Sequence, residues 1–305
     1  MQRYFVSSQA QQGGIVAISG DDAHHIARVM RMKPGEGIIC VFPDGRTAMC
    51  EIEQIANEHV QARIIQWKEE RSELPVRIYI AQGLPKGEKW ELVIQKGTEL
   101  GAAGFLPFEA ARSVVKWDAK KAEKKVERWK KIAKEAAEQA ERTVVPDVRA
   151  PLSFVELLAF GQTVDVRLFA YEKEARNARH AALPALLSCL RPGGALLAVF
   201  GPEGGFSPEE AEQLRQHGFS PCSLGRAFCG PKQLRSICFP PPLMNGSCAQ
   251  AEKRRVGDNG PFRALTVVPC IFACARRWHA GGGSAETRAR KENGQIHPCW
   301  SSSGG

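Results

Sequence analysis

The chain has 305 residues, enough for two domains that each bury a core, and a formal net charge of +9. No apolar run approaches the ~18 residues a membrane span needs, and the amino end shows no signal-peptide pattern, so a soluble, cytoplasmic protein is expected. The charge is local: residues 226–305 hold 12 Lys+Arg against 4 Asp+Glu, whereas the first 225 hold 30 and 29, so the overall basicity is no argument for nucleic-acid binding.

Residues 1–70 read as a small β-rich domain. Gly14 to Ser19 and Gly37 to Phe42 form short strands, Pro43-Asp44-Gly45-Arg46 signals a hairpin, and Thr47 to Ile55 and His59 to Trp67 continue the meander. One helix interrupts it, capped by Asp21 or Asp22, running over Ala23 to Met32 and ended by Pro34-Gly35. Five or so strands with one helix suggest a small closed barrel, a shape often used on RNA. Arg28 and Arg31 share one helical face, with His24 near it; a merely solvated face is the alternative. A metal role for His24-His25 is disfavoured, because adjacent helical positions point apart.

Polar Lys68 to Glu73 reads as a linker, and beyond it strand and helix alternate. Val76 to Gln82 is a strand, Glu88 to Leu100 an amphipathic helix stopped by Gly101, and Gly104 to Phe108 a second strand. A long helix spans about Ala119 to Arg142, followed by a strand at Val166 to Tyr171 and a helix at Leu183 to Leu190. This alternation predicts a mostly parallel α/β sheet. Residues 112–149 carry 12 basic and 7 acidic groups. Such a run is usually solvated and paired with glutamates; a phosphate-tracking role, with Arg112 and Lys116 beside it, is the minority reading.

The stretch around which the rest is organised is Ala195 to Glu210. Six apolar residues, Ala195 to Phe200, read as a strand buried on both faces. It ends in Gly201-Pro202-Glu203-Gly204-Gly205, after which Ser207-Pro208-Glu209-Glu210 forms a complete capping box that opens a helix. A plain strand-to-helix turn needs one glycine. Three, at the carboxyl end of a parallel strand, let backbone groups approach a ligand. The spacing is neither G-x-G-x-x-G nor a Walker loop, so a dinucleotide oxidoreductase lacks its fingerprint.

Taken together, Met1 to Val6, His24-His25 with Arg28 and Arg31, Lys86 to Gly101, Arg112-Ser-Val, Arg128-Trp through Gln139 and Arg142, Gly201 to Phe206, and Ser223-Leu-Gly225 resemble one family in correct order. That family is the bacterial 16S ribosomal RNA uridine-N3 methyltransferases of the knotted SPOUT class. The resemblance implies an α/β protein with a small PUA-like RNA-binding β-barrel (1–70) and a trefoil-knot methyltransferase domain (74–225). It also implies S-adenosyl-L-methionine as cofactor, 16S ribosomal RNA in the small subunit as partner, and a homodimer, with no metal. Phe200, Gly201, Pro202, Glu203, Gly204, Gly205, Leu224 and Gly225 correspond to the cofactor loops. His24, Arg28, Arg31, Arg112 and Lys116 are the RNA candidates. Glu203, the carboxylate of the glycine loop, is the candidate base, although orienting the loop is the slightly favoured role.

The resemblance breaks at residue 226. The third knot segment, Arg-x-Leu-Arg-x-Glu-Thr-Ala, is missing, and Arg226 to Arg235 reads RAFCGPKQLR. Restoring one cytosine shifts the frame so that permitted codons for residues 226–247 spell PRILRAETAPLYMLSAASYEWE, the missing segment. Residues 226–305 are therefore expected to be out-of-frame translation and disordered, which accounts for their charge and for six of the ten cysteines. A zinc module on Cys270, Cys274, His279 and Cys299 matches no paired spacing. The alternative function is then an inactive RNA-binding remnant.

Overall fold

The computed structural model describes residues 1–7, 10–56, 59–70, 72–84, 89–113, 119–171, 186–187 and 189–222. Leu224, Gly225, Lys116, most of the helix expected at 183–190, the zinc candidates and the whole 226–305 segment lie outside the described residues, as does any closure of the knot.

The first domain is a six-stranded sheet built from β1 (Arg3–Phe5), β2 (Gln11–Gln12), β3 (Ile15–Ser19), β4 (Gly37–Val41), β5 (Thr47–Ala56) and β6 (His59–Lys68). Its order is β1-β4-β5-β6-β3-β2, antiparallel except for the parallel β1–β4 pair. β1 and β2 are its edges, so the closed barrel expected from the sequence is a half-barrel. Alternation decides which face is buried: Val16, Ile18, Ile38, Cys40, Cys50, Ile52, Val60 and Ala62 point inward.

The helix of this domain differs from expectation. α1 (Asp21–His24) passes into a π-helical turn at His25–Val29, and Arg31 adopts φ 52°. Gly20, not an aspartate, occupies the N-cap, with no side-chain cap bond. Asp21 and Asp22 instead reach across to the second domain, where Lys131 and Lys134 hold them at 2.8 and 2.6 Å.

The second domain is a fully parallel six-stranded sheet. Its strands are β7 (Arg77–Gly83), β8 (Gly104–Phe108), β9 (Asp147–Val148), β10 (Val166–Ala170), β11 (Ala195–Phe200) and β12 (Ser220–Cys222), in the order β12-β10-β11-β7-β8-β9. All six residues of β11 are buried, as expected of a central strand covered on both faces. Helices α2 (Lys89–Glu99) and α3 (Ala119–Gln139) pack together through Trp90 and Trp129, whose ring centroids are 6.2 Å apart. α4 (Phe154–Gly161) was not expected, although Ser153 and Glu156 form a full capping box. α5 (Pro208–Gln216) starts at the capping box read from the sequence, with Ser207 at N-cap and Pro208 in the first turn.

The linker is fastened rather than loose. Glu73 pairs with Arg142 at 2.6 Å and accepts from the amides of Thr143 and Val144 at 2.9 and 3.1 Å. Arg142 is 5% exposed and also donates to the carbonyl of Ala102 at 2.7 Å. Glu70 pairs with Arg3 of β1 at 2.7 Å.

Candidate functional site

β11 and β7 are parallel neighbours in register, Phe200 beside Gln82, and β8 flanks β7 with Phe108 beside Gly83. Their carboxyl ends therefore lie together at one edge of the sheet, the place where α/β sheets bind ligands. The glycine loop leaves β11 there and is held from both sides. The buried amide of Gln82 donates through Nε2 to the carbonyl of Gly201 at 2.8 Å. Gly83 lies so close that a Cβ on it would stand 2.6 Å from Pro202 Cδ and 2.7 Å from Pro202 N. No residue but glycine fits there without moving the loop.

On the other side, Arg112 donates through Nη1 to the carbonyl of Gly204 at 2.9 Å. Glu210 fixes the far end: one carboxylate oxygen accepts from the amide of Ser207 at 2.8 Å and the other from Ala111 at 2.7 Å. The ring of Phe206 then stacks on Phe108, 9° from parallel with centroids 6.4 Å apart, and meets Phe169 edge-on. Glu203 Oε1 lies 3.4 Å from the ammonium of Lys89.

An adenosyl cofactor fits this setting. The carbonyls of Gly201 and Gly204 are already engaged with protein donors, so the loop holds its shape without a ligand. Gly205 takes φ 67°, and a Cβ there would meet nothing within 4 Å, which leaves that side of the loop open to a bound group. Phe200 and the five residues Gly201 to Gly205 follow one another out of the carboxyl end of β11. Leu224 and Gly225, expected to complete the site, lie outside the described residues.

Comparison with known proteins identifies the two halves. A family model described as "RNA methyltransferase domain" matches residues 72–228, and one described as "RNA methyltransferase PUA domain" matches residues 18–65. Ribosomal RNA small subunit methyltransferase E of Bacillus subtilis is 46% identical over 261 residues, covering 85% of this chain and all of the relative. The chain belongs to the ribosomal RNA small subunit methyltransferase E family. The Mycobacterium bovis member is 33% identical over 228 residues, covering 73% of this chain and 83% of its own.

Among solved structures, the family member from Neisseria gonorrhoeae bound to S-adenosyl methionine matches with a TM-score of 0.63 at 25% identity, covering 74% of this chain and 89% of that one. The methyltransferase Lpg2936 of Legionella pneumophila, in complex with the same cofactor, matches with a TM-score of 0.64 at 30% identity, covering 73% and 89%. The inactive-remnant alternative is not favoured by these likenesses. The first family model ends just past residue 225, where the resemblance read from the sequence breaks, whereas the Bacillus subtilis match spans more of the chain.

The RNA candidates of this family member separate in space. His24, Arg28 and Arg31 are exposed on the helical corner of the half-barrel. Arg112, in the turn after β8, lies against the glycine loop instead, and among the described residues no hydrogen bond or ion pair joins it to the other three. Part of the long helix's positive charge is paired: Arg128 and Lys125 with Glu91, and Lys131 and Lys134 with Asp21 and Asp22. Sequence reasoning missed Gln82, Gly83 and Glu210. In the sequence Glu210 reads only as a cap residue, because its second bond, to the amide of Ala111, spans 99 positions. Gln82 was the last residue of an expected strand, with nothing in its neighbourhood to mark the amide as a loop anchor.

Proposed function

We propose that this chain transfers the methyl group of S-adenosylmethionine to N3 of a uridine in the 16S ribosomal RNA of the small subunit, acting in the cytoplasm as a homodimer. The observation that supports it best is the glycine loop, pinned by Gln82 and Arg112 at the carboxyl edge of a parallel sheet. The cofactor supplies an electrophilic methyl group on a sulfonium. The protein's part is to hold the acceptor nitrogen in line with that methyl and to stabilise the imide anion as its proton leaves. Phe200, Gly201 to Gly205, Leu224 and Gly225 hold the cofactor in this reading. His24, Arg28, Arg31 and Lys116 contact RNA, and Arg112 serves the loop and the RNA together.

Glu203 orients the loop through Lys89 rather than acting as the base. The anion-stabilising arginines belong to the segment that one restored cytosine brings back into frame, so residues 226–305 are out-of-frame translation. This divides the chain into 1–70, 74–225 and 226–305.

The deciding experiment measures radiolabelled methyl incorporation from S-adenosylmethionine into small subunits, with the modified nucleoside identified by mass spectrometry. The chain as written and its frame-restored form are compared, and the 220–230 codons are resequenced. The frame-restored protein is expected to yield N3-methyluridine at the higher rate. No incorporation by either form, or methylation at another atom, would sink the reading.

A further inference from the structure

The first half of α3 carries a charge pattern that helix stability disfavours. Residues 120–131 hold seven basic groups against two acidic ones. A face that is merely solvated sets opposite charges four residues apart, where they attract. Here Lys120–Lys124, Lys121–Lys125, Lys124–Arg128 and Lys130–Lys134 set like charges at that spacing, and Glu127–Lys131 alone sets opposite ones. Glu123 and Glu127 also stand three residues from Lys120, Lys124 and Lys130. Even so, among the described residues no ion pair holds any of these three lysines, whereas Lys125, Arg128, Lys131 and Lys134 are all engaged. A local rule broken without a partner inside the fold points to a partner outside it.

The three lysines are exposed, on the side of α3 opposite the buried Trp129, Ala133, Ala136 and Ala137. Lys120 and Lys130 are separated by about 15 Å along the axis. What they connect follows from the topology. β8 and β9 are parallel neighbours, so the crossover helix between them runs back from the carboxyl edge of the sheet to its amino edge. α3 therefore begins on the side where the glycine loop leaves β11. At its other end Lys130 and Lys131 line a cavity of about 1150 Å³ shared with the half-barrel, and Lys131 meets Asp21 beside the exposed His24 and Arg28. Beyond this point α3 turns acidic: Glu135 and Glu138 line the same cavity, with Glu138 3.7 Å from Lys134. The cationic face thus spans the interval between the helical corner and the cofactor edge, and stops there.

We propose that Lys120, Lys124 and Lys130 form a track for the backbone phosphates of single-stranded RNA, carrying the strand from the helical corner of the half-barrel towards the glycine loop. The inference rests on the RNA methyltransferase reading and adds to it the surface between two sites already assigned. Ammonium groups are compact point charges that answer to phosphate and not to base edges, so the track positions the strand without reading its sequence.

The test is fluorescence anisotropy of a labelled oligouridine of about twenty nucleotides on the full chain, from about 50 to 200 mM salt. Each phosphate contact on a single strand contributes about 0.7 to the slope of log affinity against log salt. Lys120→Gln, Lys124→Gln and Lys130→Gln together should lower that slope by about 2 and weaken binding about tenfold or more at the low-salt end. Lys120→Arg, Lys124→Arg and Lys130→Arg together keep the charge and should keep the slope. As a control, Arg77→Gln at the start of β7, Lys96→Gln in the last turn of α2 and Arg191→Gln before β11 remove the same charge elsewhere and should leave the slope nearly unchanged. Circular dichroism confirms the fold of each variant. An unchanged slope in the first variant, an equal fall in the control, or equal affinity for an oligoglutamate of the same length overturns the proposal. Methyl incorporation into small subunits is run alongside. If it persists while the first variant keeps its slope, only the track fails; if the chain binds no RNA and no methyl is incorporated, both readings fail.

Discussion

The glycine loop and the seam between the two domains are both junctions of distant chain segments, but they are held by opposite means. The loop is fixed by short-range, shape-dependent contacts: a buried amide on a carbonyl, a glycine against a proline ring, a stacked phenylalanine. The seam is held by charge, through Lys131–Asp21 and Lys134–Asp22. Contacts of the first kind tolerate neither displacement nor substitution and hardly respond to salt. Those of the second kind weaken with ionic strength and with pH. A cofactor loop needs the first. A domain that must settle on a large RNA surface can use the second, because a charged seam permits small reorientation at little cost.

The sharpest way to break this contrast is at Glu73, whose carboxylate holds the buried guanidinium of Arg142. Glu73→Ala leaves the guanidinium of Arg142, 5% exposed, without its carboxylate and should cost about 3–5 kcal/mol, read by urea unfolding. A loss below about 1 kcal/mol would mean that the junction is as soft as its exposed pairs. At the loop, Gln82→Leu strips the carbonyl of Gly201 of its donor and should cost about 1–3 kcal/mol, with S-adenosylmethionine affinity falling together with stability. Unchanged affinity, measured by calorimetry on the frame-restored form, would show that Gln82 does not set the loop.

The seam's response to pH follows from Glu138. Burial raises its folded value from 4.5 to about 7, so the folded state holds this proton more tightly than the unfolded one. Its contribution is present below about pH 4.5 and is lost as pH rises through about 7, at most about 3 kcal/mol and less once solvent screening is counted. Glu138→Gln should remove that slope and make the protein more stable than the unmodified chain at pH 8. The reverse ordering at pH 8 would show that Lys134 balances the ionised carboxylate fully. The smallest effect is expected at Lys131→Ala, since both partners of its pair are exposed. Thermal unfolding should move by about a degree or less at low salt and not at all at high salt; a larger shift would place Lys131 in the packing of the seam.

How much could be read in advance differs between these regions in the same way. The strand Ala195 to Phe200, the three glycines and the Ser207 capping box are local patterns, and each stood where the residues indicated. The capping box at Ser153 to Glu156 was equally local and was overlooked. By contrast, Asp21 and Asp22 looked like helix caps because acidic residues before an apolar run usually are. The lysines that claim them lie some 110 positions away. The same distance turned an expected solvated lysine face into one side of a domain seam.

The sequence by itself determined the long strands, the helix that opens after the glycine loop and the family, since periodicity, capping and glycine spacing act within a few residues; it did not mark α4, β9, β12 or the π turn. Only the tertiary structure decided that Gln82 and Arg112 close that loop, that the barrel stays open at β1 and β2, and that Glu138 ends beside a cavity without a donor. The physical reason is that hydrogen-bond partners and desolvation depend on what the fold brings within a few ångströms. Neither leaves a trace in the spacing of residues along the chain.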